Sequence, residues 1–107
     1  MDLEDPKALK EGLVLFEKDF QLAPNELQLD EQEAYGYDQA YAKIHRVVAS
    51  LIDTDFPRLV NILYRIDVPE AELKKALATH EETPAQVITQ MILARELQKV
   101  ATRKKYS

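Results

Sequence analysis

The fold is decided by the stretch from Thr83 to Lys104, which reads TPAQVITQMILARELQKVATRK. Thr83 and Gln86 form a capping-box pattern, in which each side chain caps a backbone amide of the other residue. Pro84 suits the first helical position, where no amide hydrogen is needed. Large apolar residues then recur on one wide helical face: Val87, Ile88, Met91, Ile92, Leu93, Leu97 and Val100. The stretch therefore predicts a long C-terminal helix over 84–104.

A first helix is predicted at the other end of the chain. Asp5 is placed as its cap and Pro6 as its first helical residue. Its apolar residues share one face: Leu9, Leu13, Phe16 and Phe20. In the following segment, 21–30, Leu27 and Leu29 alternate with polar neighbours. A lone strand would have no pairing partner, so we expect an ordered loop that lies on the core.

The second long helix is predicted near residues 31–53. Asp30 and Glu33 have the spacing of a capping box. Apolar residues then recur every three or four positions, and they are Ala34, Tyr37, Tyr41, Ile44, Val48 and Leu51. Gly36 can delay the start of this helix, so a start near Asp38 is the alternative.

Two short helices, near 56–66 and 69–79, complete the pattern. They are joined by a turn at Asp67, with Pro69 as the first residue of the second helix. The inward face of that second helix is predicted to hold Leu73, Ala76 and Leu77. The expected fold is a single all-α domain over 1–107, a bundle of about five helices with two long and three shorter, and flexible ends at 1–4 and 104–107.

Composition supports this class and narrows the function. Apolar residues make up 46% of the 107, enough for one core, and only 2 Gly are present, too few for a turn-rich β domain. The absence of Cys excludes disulfides, Cys-based zinc sites and a Cys nucleophile. No stretch approaches the ~20 apolar residues of a membrane span, and the acidic N-terminus is unlike a secretory signal. We therefore predict a cytoplasmic protein with no membrane partner.

Charge and the C-terminal helix suggest a binding role. Residues 1–38 carry a net charge of −8 and residues 95–107 carry +4, whereas the middle is close to neutral. The apolar face of the last helix is wider than one bundle contact normally uses. We predict a non-catalytic interaction module whose partner is another protein, including a second copy of itself. The predicted interface is Val87, Met91, Ile92, Leu93, Leu97 and Val100.

The alternative is a regulator that binds nucleic acid. Residues 56–79 resemble a helix-turn-helix unit of the DNA-binding type, in which Val68 fits the buried turn position. The predicted contacts are Lys74, Lys75, Arg103, Lys104 and Lys105. Asp67 replaces the usual turn glycine, and Glu70 and Glu72 would repel phosphate from the reading helix. We rank this hypothesis below protein binding.

Neither histidines nor tyrosines predict a catalytic, cofactor or metal site. His45 has no carboxylate one helical turn away, so it is expected at the edge of the core, and His80 is expected in a solvated loop. Around Gly36 lie three tyrosines. We expect Tyr37 and Tyr41 in the core and Tyr35 at its boundary, the alternative being a ligand-binding face.

Two runs also carry a wider resemblance, LYRIDVP at 63–69 and ILARELQKV at 92–100. They resemble segments of small all-helical bacterial proteins that have no assigned function. The resemblance implies a helical fold and supplies no site residue.

Overall fold

Five α-helices account for most of the chain that the computed structural model describes, namely residues 6–23, 26–27, 29, 35–79 and 82–106. In chain order they are α1 (Pro6–Asp19), α2 (Tyr37–Thr54), α3 (Phe56–Arg65), α4 (Glu70–Thr79) and α5 (Pro84–Tyr106). The described residues contain no β-strand, which confirms the predicted all-α class. None of these helices has both the length and the apolar character of a membrane span.

The capping box at the start of α5 is confirmed. The Thr83 hydroxyl accepts a hydrogen bond from the Gln86 amide at 3.3 Å, and the Gln86 side chain accepts one from the Thr83 amide at 2.9 Å. The helix begins at Pro84 as predicted and continues to Tyr106, two residues beyond the predicted end.

The wide apolar face of α5 is covered from within the chain. Both α1 and α2 pack extensively along α5, and α4 adds a smaller contact. Five of the six predicted interface residues are buried here, namely Val87, Ile92, Leu93, Leu97 and Val100, and Met91 is half-buried. The interface at these residues stays a prediction, and their burial against neighbouring helices of the same chain weakens the argument for it.

The second long helix starts later than its apolar pattern suggests. It begins at Tyr37, and Tyr35 and Gly36 are not helical. Gly36 has an extended backbone, and its amide donates to the Gln39 side chain at 2.8 Å, which caps the helix locally. The alternative start near Asp38 is thus the better of the two predictions. The proposed capping box at residues 30 and 33 lies outside the described residues.

The predicted apolar face of α1 is confirmed. Its residues are all buried, and they are Leu9, Leu13, Phe16 and Phe20. The loop that follows also behaves as predicted at its described residues. Leu27 is fully buried and Leu29 packs against the core. Lys43 on α2 donates to the Leu27 carbonyl at 2.7 Å, and this hydrogen bond connects the loop to α2.

The short helices differ in how firmly they are held. On α3, Asp55 caps the first turn by accepting from the Arg58 amide, and Leu59 is fully buried. On α4, by contrast, none of the described side chains is fully buried. Leu73 is half-buried as an inward residue should be, but Leu77 is 39% exposed, so its predicted inward position is wrong. The light packing of α4 on α5 leaves that side chain in solvent.

Gly12 provides a test of the α1–α5 packing. It lies inside α1, where glycine costs about 0.5–1 kcal/mol relative to alanine. A methyl group there would be 3.6 Å from Leu97 Cδ2 and 3.8 Å from Glu96 Cβ, which is ordinary van der Waals contact. Gly12→Ala is therefore expected to stabilise the fold by about 0.5–1 kcal/mol in urea unfolding. Destabilisation would mean that the two helices pack more closely than this geometry indicates.

Candidate functional site

The side chain of Glu96 on α5 is fully buried, which is rare for an ionisable residue. Within the described structure, neither of its carboxyl oxygens has a hydrogen-bond partner. The backbone of α1 passes close by, since a Cβ built on Gly12 would lie 3.8 Å from Glu96 Cβ. The carboxyl group is therefore enclosed at the contact between α1 and α5.

Two further charged residues meet Glu96 at this contact. Lys99 Nζ lies 2.5 Å from Asp19 Oδ2 and 3.4 Å from Glu96 Oε1. Asp19 is the last residue of α1, where the negative end of the helix dipole makes a carboxylate unfavourable. Lys99 therefore lies within ion-pair distance of two carboxyl groups, those of Asp19 and Glu96. We call Glu96, Asp19 and Lys99 the carboxyl cluster.

Burial favours the protonated form of the Glu96 carboxyl group. The pKa of Glu96 is raised from 4.5 to about 8, chiefly by burial and also by the neighbouring Asp19 carboxylate, whereas Lys99 opposes the change. At neutral pH Glu96 is thus mostly uncharged, and Lys99 pairs with Asp19. The cluster then carries no net charge, which is the state with the smallest desolvation penalty at a largely buried site.

Sequence reasoning missed this cluster, although part of its signal was visible. Glu96 comes four residues after Ile92, three after Leu93 and four before Val100, so it lies on the buried face of α5. Its partner on α1 is 77 positions away along the chain. Only the packing of α1 on α5 brings Asp19 to it.

A second feature is a set of large apolar side chains that remain in solvent. Phe56 is 50% exposed and Tyr64 is 57% exposed, both on α3, and Leu77 on α4 is exposed as well. Phe56, Val60 and Tyr64 are spaced by four residues, so they follow one side of α3. Val60 between them is half-buried. We call Phe56, Val60 and Tyr64 the α3 stripe.

Polar contacts hold one end of the α3 stripe in place. The Tyr64 hydroxyl donates to Glu70 Oε2 at 2.7 Å, and Glu70 also pairs with Lys74 at 3.1 Å. The hydrogen bond to Glu70 raises the pKa of Tyr64, and the same bond, followed by Lys74, lowers the pKa of Glu70. The ring of Tyr64 is therefore tethered between α3 and α4 while its face stays exposed.

An open groove of about 690 Å³ lies between the α3–α4 turn and α5. Its lining mixes apolar and charged residues, and it consists of Asp67, Val68, Pro69, Glu72, Met91, Ala94, Arg95 and Gln98. Arg95 in this lining contacts the α3–α4 turn. It donates to the Ile66 carbonyl at 2.7 Å and lies 3.7 Å from the Asp67 carboxylate. These contacts join α5 to the turn.

Two residues of the α3–α4 turn agree with the predicted helix-turn-helix pattern. Asp67 adopts the left-handed conformation (φ 62°) that glycine usually supplies there, and Val68 is buried. The charges at the start of α4, the second helix of the pair, fit a nucleic-acid contact less well than the turn does. Glu70 and Glu72 are exposed in its first turn, and the predicted contact Lys74 is paired with Glu70.

The remaining predicted contacts with nucleic acid are divided between two helices. Lys75 is exposed on α4, whereas Arg103 and Lys105 are exposed near the end of α5. Lys104 lies in α5, and its side chain is outside the described part of the structure. The predicted residues are thus placed on two separate elements rather than on one recognition helix.

The burial of the three tyrosines around Gly36 is the reverse of the prediction. Tyr35 is 2% exposed and belongs to the core, whereas Tyr37 and Tyr41 are half-buried. The prediction was wrong because the helix begins at Tyr37, so Tyr35 lies before the helix and does not follow its periodicity. Tyr41 donates to the Gln86 carbonyl at 3.3 Å, and burial raises its pKa.

His45 occupies the boundary position that was predicted for it. It is half-buried, and its ring stacks on Tyr41 with 5.9 Å between ring centroids. His80 lies outside the described residues. Among the residues that the structure describes, no group of three or more His, Cys, Asp or Glu side chains could hold a metal ion.

Comparison with known proteins gives no further assignment. No family model, no curated protein and no solved structure matches this chain. The carboxyl cluster and the α3 stripe are therefore interpreted from their own geometry.

Proposed function

We propose that this chain is a non-catalytic helical module that binds a protein partner, and that it does so through α3 and α4 rather than through α5. The observation that carries the proposal is the α3 stripe. Two aromatic side chains about half exposed lie on one side of one short helix, and apolar surface of this kind is what interaction sites present. Aromatic residues are also the usual anchors of protein interfaces.

The surroundings of the stripe support the same role. The groove beside α4 offers apolar residues such as Val68 and Met91 close to charged ones such as Glu72, a mixture typical of interface core and rim. Nucleic-acid binding is the second candidate, favoured by the left-handed turn at Asp67. We rank it lower because exposed glutamates open α4.

A second copy of the chain is the first partner to test, by sedimentation velocity from micromolar to millimolar concentration. We expect reversible association that weakens about tenfold or more when Phe56 and Tyr64 are both changed to Ser, since each anchor at an interface contributes at least ~1 kcal/mol. Val14→Ser is the matched control, because Val14 is an equally exposed apolar residue (51%) on α1.

Two results would contradict this version of the proposal. A wild-type chain that remains monomeric at every concentration excludes self-association. Association that responds equally to the Val14 variant and to the double variant would place the interface away from the α3 stripe.

A further inference from the structure

We propose that the packing of α1 on α5 is linked to proton binding: the folded chain holds a proton on Glu96, and loss of that proton weakens the contact between the two helices. The proposal goes beyond partner binding and concerns a conformational device within the bundle. It is carried by the geometry of the carboxyl cluster.

The first step of the argument is that the Glu96 carboxyl group is shielded from water. Its side chain is fully buried, and neither oxygen has a hydrogen-bond partner within the described structure. An ionised carboxylate in such a place must be compensated by hydrogen bonds or by a dedicated cation, or it takes up a proton instead.

The second step is that the available cation is shared. Among the described residues, the charged groups that act on Glu96 are Asp19 from α1 and Lys99 from α5, and none comes from α2, which packs against both helices. Lys99 lies closer to Asp19 than to Glu96, at 2.5 Å against 3.4 Å. Ionisation of Glu96 would therefore leave two carboxylates facing one ammonium group, with the Glu96 carboxylate itself shielded from water.

The third step gives the direction of the pH dependence. Burial raises the pKa of Glu96 from 4.5 to about 8 in the folded chain, so between these values the folded state binds more protons than the unfolded state. The stabilising contribution is complete below about pH 4.5, is lost as pH rises toward about 8, and does not change further above that. Because α1 supplies Asp19 and the backbone near Glu96, α1 is the element that should loosen.

Urea unfolding of wild type and Glu96→Gln tests the proposal. Glutamine keeps the shape of the protonated acid and cannot ionise. Between about pH 5 and about pH 9, the folding equilibrium constant of wild type should fall about 100-fold or more relative to that of the variant. Glu72→Gln, the same change at an exposed position on α4, should follow wild type. Equal pH profiles for wild type and Glu96→Gln would overturn the proposal.

A measurement on the wild-type chain keeps the proposal testable if the variant fails to fold. Amide hydrogen exchange of residues 6–19, corrected for the intrinsic effect of pH, should show about tenfold less protection at about pH 9 than at about pH 7. Unchanged protection of α1 over this range would overturn the proposal as well.

Discussion

Lys99→Met is expected to destabilise the folded chain by about 2–3 kcal/mol at neutral pH. The substitution removes the cation that lies 2.5 Å from Asp19 and 3.4 Å from Glu96 and keeps most of the side-chain volume. Breaking a buried ion pair costs about 3–5 kcal/mol. The value is smaller here because Lys99 and Asp19 retain 25% and 20% side-chain exposure and Glu96 is already protonated.

Urea unfolding with two companion variants separates this effect from a general loss of lysine. Lys74→Met also breaks a pair with a glutamate, but Lys74 and Glu70 are 75% and 52% exposed, so little or no loss of stability is expected. Adding Asp19→Asn to Lys99→Met should recover more than half of the stability, because the cluster then holds no charge. Equal losses for Lys74→Met and Lys99→Met would show that Lys99 is not engaged in the interior.

Ile92→Ala is expected to cost about 3–4 kcal/mol of folding free energy, the second large effect. Ile92 is fully buried in the core, and removal of a buried branched side chain loses both its burial and the packing around it. Met91→Ala is the matched control on the next residue. Because Met91 is only half-buried, its loss should stay near 1 kcal/mol.

The same pair of variants distinguishes core from interface on α5. Urea unfolding measures the cost to the folded monomer, and sedimentation measures any cost to association. A small decrease in the free energy of unfolding for Ile92→Ala, together with weaker association, would indicate that the apolar face of α5 binds a partner. A large loss in unfolding alone supports the intrachain packing.

Features that depend on neighbouring residues could be predicted from the sequence. The start of α5 follows from Thr83, Pro84 and Gln86, whose effects act within one helical turn. The buried face of α1 follows in the same way from the spacing of its apolar residues. These elements needed no knowledge of the tertiary packing.

Features that depend on packing could not be predicted in the same way. Periodicity alone does not state how many helices surround a wide apolar face, so it does not predict that Leu93 and Leu97 on α5 are buried within the chain. The pattern through Ala34 and Tyr37 also continued across Gly36, where the backbone is in fact extended. That error placed Tyr35 at the boundary instead of in the core.

The carboxyl cluster could be predicted from the sequence only in part. The spacing of Glu96 within the apolar face of α5 could have marked it as a buried acid. Nothing in the sequence pairs it with Asp19, because that contact depends on where α1 crosses α5. Burial, and with it the change in pKa, is a property of the assembled bundle.

The pKa of Glu96 is the most direct test of a protonated carboxyl group at the α1–α5 contact. It can be measured on the wild-type chain by following the ¹³C chemical shift of the Glu96 side-chain carboxyl carbon through a pH titration. The structure predicts a midpoint near 8, far above the ordinary value of 4.5, because the group is buried beside Asp19. A midpoint between about 4 and about 5 would show that Glu96 is solvated and ionised at neutral pH, and would contradict the proposed proton linkage.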